Sequence, residues 1–327
     1  MKPFIKYPGG KINEFPLVEK YKPKKIARYF EPFVGGASIY LNINVGNSFI
    51  NDKSEDLASL YSYIKEQNEQ FFSCLKELDR LWKEIESEEE VTSDIFRFDK
   101  FTQYNIQALR LKKRKISALE NSGYNISPKD KASVVLTAKK TAFYMCIRDM
   151  YNDKDINHIL HTACFYFIRE YCYSSMFRFS KTGKFNVPYG GRSYNLKYMT
   201  PKIKQMQSKE IADYFKKTAI YNLDFEAFLG LFNLNSDDFI FLDPPYDSEF
   251  STYDNNSFDQ KEQIRLSMLL RKMKARWMLI IKKTDFIYDL YKQFYIYEYD
   301  KNYLVSFKNR NIKDAKHLLI TNYCVEE

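Results

Sequence analysis

The four residues Asp243-Pro244-Pro245-Tyr246 directly follow the apolar run 239–242. Each proline fixes φ and lacks an N–H, so the tetrapeptide presents a carboxylate and carbonyl oxygens on a stiff backbone, an acceptor-rich arrangement that suits an amine. The exocyclic amine of a nucleobase such as adenine is a poor nucleophile, because its lone pair is delocalised into the ring. Two acceptors that take up its N–H groups, here Asp243 and the Pro244 carbonyl, favour a tetrahedral nitrogen able to attack an activated methyl group. Tyr246 offers a ring for stacking, and the rate of such a transfer comes chiefly from positioning and electrostatics. A strand that ends in a proline turn with an N-capping aspartate has the same composition, so the tetrapeptide gains weight only in company.

That company stands upstream. Glu31-Pro32-Phe33-Val34-Gly35-Gly36-Ala37-Ser38 follows one short apolar run, and Asp52 closes the next. Glycines there permit a tight turn and close approach of the backbone to a ligand, and a carboxylate on the neighbouring strand can accept hydrogen bonds from ribose hydroxyls. An ordinary strand-to-helix turn reads the same way, while the absence of G-x-x-x-x-G-K-[ST] disfavours an ATP-type phosphate loop. At the N-terminus, Lys6-Tyr7-Pro8-Gly9-Gly10-Lys11 sets an aromatic ring beside a glycine pair with a lysine at each end. Such a segment is either a plain turn or a means of laying a ring on a ligand and aiming an amine at its carboxylate.

Other chemistries find less support. Cys74, Cys146, Cys164, Cys172 and Cys324 are dispersed and form no C-x-x-C pair, which argues against a disulfide framework and a cysteine-rich zinc site. None of them follows a proline in the catalytic tetrapeptide position, as a nucleophile attacking cytosine C5 would. His158, His161 and Cys164 step by three along an expected helix, but no fourth ligand accompanies them and no metal is expected. A net charge of +9, from 51 Lys plus Arg against 42 Asp plus Glu, favours a polyanionic partner. No apolar stretch approaches the roughly 18 to 20 residues of a membrane span. Proline and glycines stand where a signal peptide would carry its apolar core, so a cytosolic protein is expected.

The elements that must position these residues follow from periodicity. Short apolar runs at 26–30 and 48–51, with a helix-like stretch at 38–45 between them, read as a βαβ unit. Similar runs at 239–242, 277–281, 295–299 and 318–321 read as further strands of one parallel-type α/β sheet. Between the two strand-rich ends, 56–86, 131–150 and 158–173 carry apolar residues at three- and four-residue steps and read as helices. The simplest architecture joins strands from the two ends of the chain around a helical insertion that reads the substrate.

The order KYPGGK, EPFVGGAS, long insertion, DPPY resembles the alpha group of DNA adenine N6-methyltransferases over most of the chain. The resemblance implies an α/β fold: a Rossmann-like methyltransferase sheet with an inserted, mainly helical target-recognition domain. It implies that residues 1–55 and 218–327 bind S-adenosylmethionine and carry out the chemistry, with 56–217 as the recognition insertion. Tyr7, Lys11, Pro32, Phe33, Gly35, Asp52 and Asp243 are then the cofactor-binding residues, and Asp243, Pro244, Pro245 and Tyr246 the catalytic ones. Gly183-Lys184-Phe185-Asn186-Val187-Pro188-Tyr189-Gly190 is similar to the family's DNA-docking G-x-F-N-V-P-[FY]-G hairpin. The expected DNA contacts around that hairpin, near 178–192, are Tyr173, Arg178, Lys181, Lys184, Asn186, Pro188, Tyr189 and Arg192. His317-Leu318-Leu319-Ile320-Thr321-Asn322-Tyr323 is similar to the family's last strand.

The implied substrate is double-stranded DNA, the implied partner a separately acting restriction endonuclease, and the implied setting a prokaryotic or phage-infected cytoplasm. The sequence departs from the family pattern in two places. The glycine loop reads Phe33-Val34-Gly35-Gly36-Ala37 where F-x-G-x-G is common, and Tyr173-Ser174-Ser175-Met176 replaces the Tyr-Asn-Gly-Leu of enzymes acting on GATC, so GATC is not assigned. The basic run 109–115 is either a solvated helix face or a contact to DNA phosphates. An RNA adenine methylase, an N4-cytosine methylase and a catalytically idle DNA-binding relative are the alternative readings.

Overall fold

The computed structural model describes residues 1–7, 9–87, 91–245, 258–302 and 314–325. Seven strands form one sheet: β1 (Arg28–Glu31), β2 (Ser48–Asn51), β3 (Thr218–Tyr221), β4 (Asp238–Leu242), β5 (Arg276–Lys282), β6 (Tyr295–Asn302) and β7 (Asp314–Thr321). Their order is β3-β2-β1-β4-β5-β7-β6. Pairing is parallel from β3 through β5, whereas β7 runs antiparallel to both β5 and β6. The sheet is thus parallel over five strands, as the parallel-type reading expects, with an antiparallel pair at one edge.

The α-helices are α1 (Phe15–Tyr21), α2 (Glu55–Glu66), α3 (Glu69–Glu84), α4 (Phe101–Asn121), α5 (Pro128–Tyr151), α6 (His158–Tyr171), α7 (Thr200–Met206), α8 (Lys209–Lys216), α9 (Phe225–Gly230), α10 (Gln260–Arg271) and α11 (Asp285–Tyr291). The stretch 56–86 forms two helices, divided where Gln67 takes φ +50° and the Asn68 side chain caps α3 by accepting from the Phe71 N–H. The helix expected at 38–45 does not form. The Asn42 side-chain amide occupies the Ser38 carbonyl at 2.9 Å, the acceptor an α-helix would give to the Asn42 N–H, which bonds the Ile39 carbonyl instead. Successive turns therefore carry the chain from β1 to β2, with Ile39, Tyr40, Leu41 and Ile43 all buried.

Two compact units result. The first comprises Met1–Pro3, Gly9–Tyr61 and Asp213–Glu327, and the second Phe4–Pro8 and Ser62–Ala212. Compared with the expected division at 55/56 and 217/218, the first unit takes in a few more residues at each junction. Tyr61 and Phe215 stack their rings there at 6.4 Å, and the Tyr214 hydroxyl donates to the Ile43 carbonyl at 2.6 Å. Residues 4–8 go to the second unit because α6 holds them: the Tyr166 hydroxyl donates to the Phe4 carbonyl at 3.0 Å and the Arg169 guanidinium to the Lys6 carbonyl at 2.7 Å.

Alternate residues of the central strands define one core face of the first unit. Phe30, Ile240, Leu242, Leu279, Ile281, Leu318 and Ile320 pack there with Leu266 and Leu270 of α10 and Ile287 and Tyr291 of α11. In the second unit Trp82 is the centre, ringed by Phe143, Phe167, Tyr171 and Tyr189 at 4.5–5.6 Å. The basic run lies on α4, where Arg110, Lys113, Arg114 and Lys115 are exposed. Among the described residues no helix is long and apolar enough to cross a membrane.

At the amino ends of the central strands, Arg28 on β1 makes a two-pronged contact with the fully buried Asp238 on β4, Nε–Oδ1 and Nη2–Oδ2 both at 2.7 Å. Asp238 also accepts from the Asn235 N–H at 2.8 Å. Removing only the arginine strands a buried carboxylate. We expect Arg28→Ala to lower unfolding stability by about 3 kcal/mol, read as a shifted urea midpoint at unchanged slope.

Candidate active site

Open α/β sheets bind ligands outside the carboxyl ends of their strands, where the strand order reverses. In this sheet that point lies between β1 and β4. Each strand around it delivers an acid: Glu31 closes β1, Asp52 follows β2 and Asp243 follows β4. Parallel register carries all three to the same edge.

The loop after β1 is held from several directions. Gly35 donates its N–H to Asp52 Oδ2 at 2.9 Å, and its carbonyl accepts from the Tyr61 hydroxyl at 2.6 Å. The Asn51 side chain donates to the carbonyls of Pro32 at 3.0 Å and Leu223 at 2.9 Å and accepts from the Leu223 N–H, tying the loop to the exit of β3. Gly35 lies at φ +47° and Ala37 at φ +58°. The left-handed position where family sequences carry a second glycine is thus filled by a buried alanine, at a cost of roughly 1 kcal/mol. Phe33, beside the loop, packs its ring 5.5 Å from those of both Phe225 and Phe258.

Lys11 and Asp243 meet directly. The lysine is only 2% exposed, and its Nζ lies 2.5 Å from Asp243 Oδ1 and 3.0 Å from the Gly9 carbonyl. Residues 232 apart in the chain therefore form one ion pair. Glu31 is buried beneath this edge, its carboxylate accepting from the Tyr29 hydroxyl at 2.6 Å. Burial, with repulsion from Asp243 and Asp52, pushes the Glu31 carboxyl well above the usual range. Burial likewise raises Asp52 to about 6, although its two oxygens accept from the Gly35 and Ser54 N–H groups. Pro244 is buried and Pro245 exposed, and the Pro245 carbonyl accepts from the Gln263 side chain at 3.0 Å. Tyr246 lies outside the described residues.

An acceptor-lined edge with a paired aspartate, a double proline and a held glycine loop is the arrangement expected for methyl transfer to a nucleobase amine. The model of the D12 class N6 adenine-specific DNA methyltransferase family matches residues 7–305, nearly the whole chain. The chain belongs to this family. It is 28% identical over 331 residues to the type II methyltransferase M.CviBI of Paramecium bursaria Chlorella virus NC1A, covering 99% of this chain and 100% of the relative. Identity is also 28%, over 345 residues and 99% of both chains, to the type II methyltransferase M.MjaIII of Methanocaldococcus jannaschii. The DNA adenine methylase of Escherichia coli K12 is 20% identical over 285 residues, 85% of this chain and 78% of the relative. The sheet with its helical insertion is the Rossmann-like methyltransferase architecture that the motifs implied.

In this D12-class chain the sequence-predicted residues fall into two groups. Lys11, Pro32, Phe33, Gly35, Asp52, Asp243, Pro244 and Pro245 are all in the first unit. Tyr7 is in the second, where the Arg169 guanidinium lies 5.3 Å from the centre of its ring. The expected docking hairpin is also there. It pairs through isolated bridges, Phe179 with Phe185 and Cys172 with Tyr189, rather than through full strands. Its sequence alternates inward and outward. Phe185, Val187 and Tyr189 are buried, whereas Arg178, Lys181, Lys184 and Pro188 are exposed and Asn186 is half-buried, accepting from Arg178 Nε at 2.8 Å.

Tyr189 is consequently a core residue rather than a surface one, its hydroxyl donating to Asn195 Oδ1 at 2.9 Å. Arg192 is exposed and pairs with Asp130 at 2.8 Å. Tyr173 is exposed, and the two serines after it, Ser174 and Ser175, lie at φ +50° and +52°. An Asn-Gly pair adopts that turn readily, so the departure from Tyr-Asn-Gly-Leu changes the residues and keeps a left-handed turn. His158 Nδ1 bonds the Tyr63 hydroxyl, His161 stacks on Tyr151 and Cys164 is buried.

Glu31, Asn51, Tyr61 and Gln263 were not picked out as site residues. Glu31 and Gln263 carried a signal, each a polar group on an otherwise apolar pattern; Asn51 and Tyr61 carried none. Because the folded-state pKa of Asp52 lies above the ordinary 3.8, this group's contribution to stability is present below about pH 4 and lost as pH rises through about 6. Asp52→Asn, which cannot ionise, is therefore expected to lose less stability than the wild type between about pH 4 and 7, read as urea midpoints.

Proposed function

We propose that this protein transfers a methyl group to N6 of an adenine flipped out of duplex DNA, and that Asp243, Pro244 and Tyr246 hold that base. The observation that carries this reading is the Lys11–Asp243 pair at 2.5 Å, joined to a double-proline loop at the carboxyl end of β4. Asp243 and the Pro244 carbonyl accept the two amine hydrogens and draw the nitrogen toward a tetrahedral geometry. Neither proline nitrogen offers a competing donor. Tyr246 stacks on the base, and the proton leaves after the nitrogen has become cationic, so no base of raised pKa is needed.

S-adenosylmethionine, when bound, supplies the activated methyl. The donor set fits it: Asp52 for the ribose, Phe33 with Phe225 and Phe258 for an apolar wall, Pro32 and Gly35 for the loop beneath, and Lys11 for a carboxylate. Tyr7 is proposed as a further cofactor contact. The second unit is proposed to hold the duplex, with Tyr173, Arg178, Lys181, Lys184, Asn186, Pro188 and Arg192 toward the DNA. A role beside a separately acting restriction endonuclease, in a prokaryotic or phage-infected cytoplasm, is part of the same proposal.

The test is transfer of labelled methyl from S-adenosylmethionine to unmethylated duplex DNA and, in parallel, to RNA, followed by nucleoside analysis. N6-methyladenine is expected in one short DNA motif, with none formed by Asp243→Ala; label confined to RNA, or undiminished turnover by that variant, would sink the assignment. The hairpin has its own signature. Replacing Arg178, Lys181 and Lys184 together by Gln should reduce the slope of log affinity against log salt by about 2 to 3, since each lost phosphate contact removes roughly 0.9. Fluorescence anisotropy with a duplex at several salt concentrations reads this directly.

A further inference from the structure

We infer that Gln263 is a positioning residue for methyl transfer: it holds the catalytic loop through a backbone carbonyl. The inference rests on the proposed role of Asp243 and Pro244. Lys11 grips the Asp243 carboxylate at the start of the loop. The two prolines that follow have no N–H to donate, so their backbone can be held only through carbonyl oxygens. Gln263 Nε2 donates to the Pro245 carbonyl at 3.0 Å. Since that carbonyl can only accept, the orientation of the carboxamide is set by chemistry, with nitrogen toward the loop.

The position of Gln263 makes the contact specific. Helix α10 starts cleanly, with Asp259 accepting from the N–H groups of Lys261 and Glu262. Its buried positions are Gln263, Leu266, Ser267 and Leu270, the spacing of a helix stripe facing a core. Leucine or a similar side chain would be expected at 263. Instead a fully buried glutamine stands there, and its Oε1 has no hydrogen-bond partner among the described residues. A buried carboxamide with an unmet acceptor is unfavourable as packing, so its donor is the part that the site uses.

Leu266 and Leu270 anchor the helix on the same core face as Ile240 and Leu242 of β4. Gln263 thus carries the position of that core to the loop following β4. With Pro245 fixed, the rigid proline pair keeps the Pro244 carbonyl and the Asp243 carboxylate aimed together. Gln263 itself is 0% exposed.

The experiment compares wild type, Gln263→Leu and Gln263→Glu in methyl transfer to duplex DNA. Gln263→Leu fills the space without a donor. Its kcat is expected to fall about 10- to 100-fold with KM for cofactor and DNA unchanged, as for a small misplacement of reacting groups. Gln263→Glu can donate from a protonated carboxyl and repels the Pro245 carbonyl once ionised. Its kcat should stay near wild type at low pH and fall as pH rises, a limb absent from the wild-type profile. Wild-type turnover in Gln263→Leu, or a Gln263→Glu profile parallel to wild type, overturns the assignment. If the leucine variant does not fold, the glutamate profile decides alone. A wild-type protein that methylates no DNA removes the proposed function and this assignment with it, whereas active wild type with unaltered variants removes only the assignment.

Discussion

Three carboxylates, Glu31, Asp52 and Asp243, share the carboxyl ends of β1, β2 and β4, and placing three acids at one edge is the constraint that the local contacts answer. Each is handled differently. Asp243 is paired with the buried ammonium of Lys11, Asp52 is given two backbone N–H donors, and Glu31 is buried against a tyrosine hydroxyl where its neutral form is favoured. The result is one acid matched to a cation, one poised near neutrality and one kept out of solvent. The edge thereby gains acceptors without accumulating three full negative charges.

The same edge explains the unusual backbone around it. Gly35 and Ala37 turn through left-handed conformations, and the clamp formed by Asn51 and Tyr61 holds the loop in that path. Alanine in such a conformation is strained, and the strain persists because the flanking residues are buried and bonded. The loop after β4 reaches rigidity by a different route. Prolines stiffen it, Lys11 holds its Asp243 carboxylate and Gln263 its Pro245 carbonyl.

The second unit divides its labour by side-chain alternation. Tyr189 packs on Trp82, Phe185 on Tyr151 and Phe177, and Val187 is buried between them in sequence, while Arg178, Lys181, Lys184 and Pro188 are exposed. A short basic loop would not keep one shape in water without that core beneath it. Burial of every second residue fixes which side chains stand at the surface, and Tyr189 is 7% exposed.

What the sequence determined by itself was whatever depends on local pattern and residue type. The strand positions at 48–51 and 239–242 follow from short apolar runs, and the amine chemistry follows from an aspartate beside two prolines. The family was also readable there, because its motifs are contiguous and keep their order. What only the tertiary structure decided involves residues distant in the chain or bonds that compete with a local preference. The Lys11–Asp243 pair joins positions 232 apart. Asn42 diverts the bonds of a helix that periodicity favoured, β7 inserts antiparallel between β5 and β6, and residues 4–8 join the helical unit through Arg169 and Tyr166. Periodicity reports which face of an element is apolar, but not which distant group will occupy a given acceptor, and in this protein that choice assembles the site.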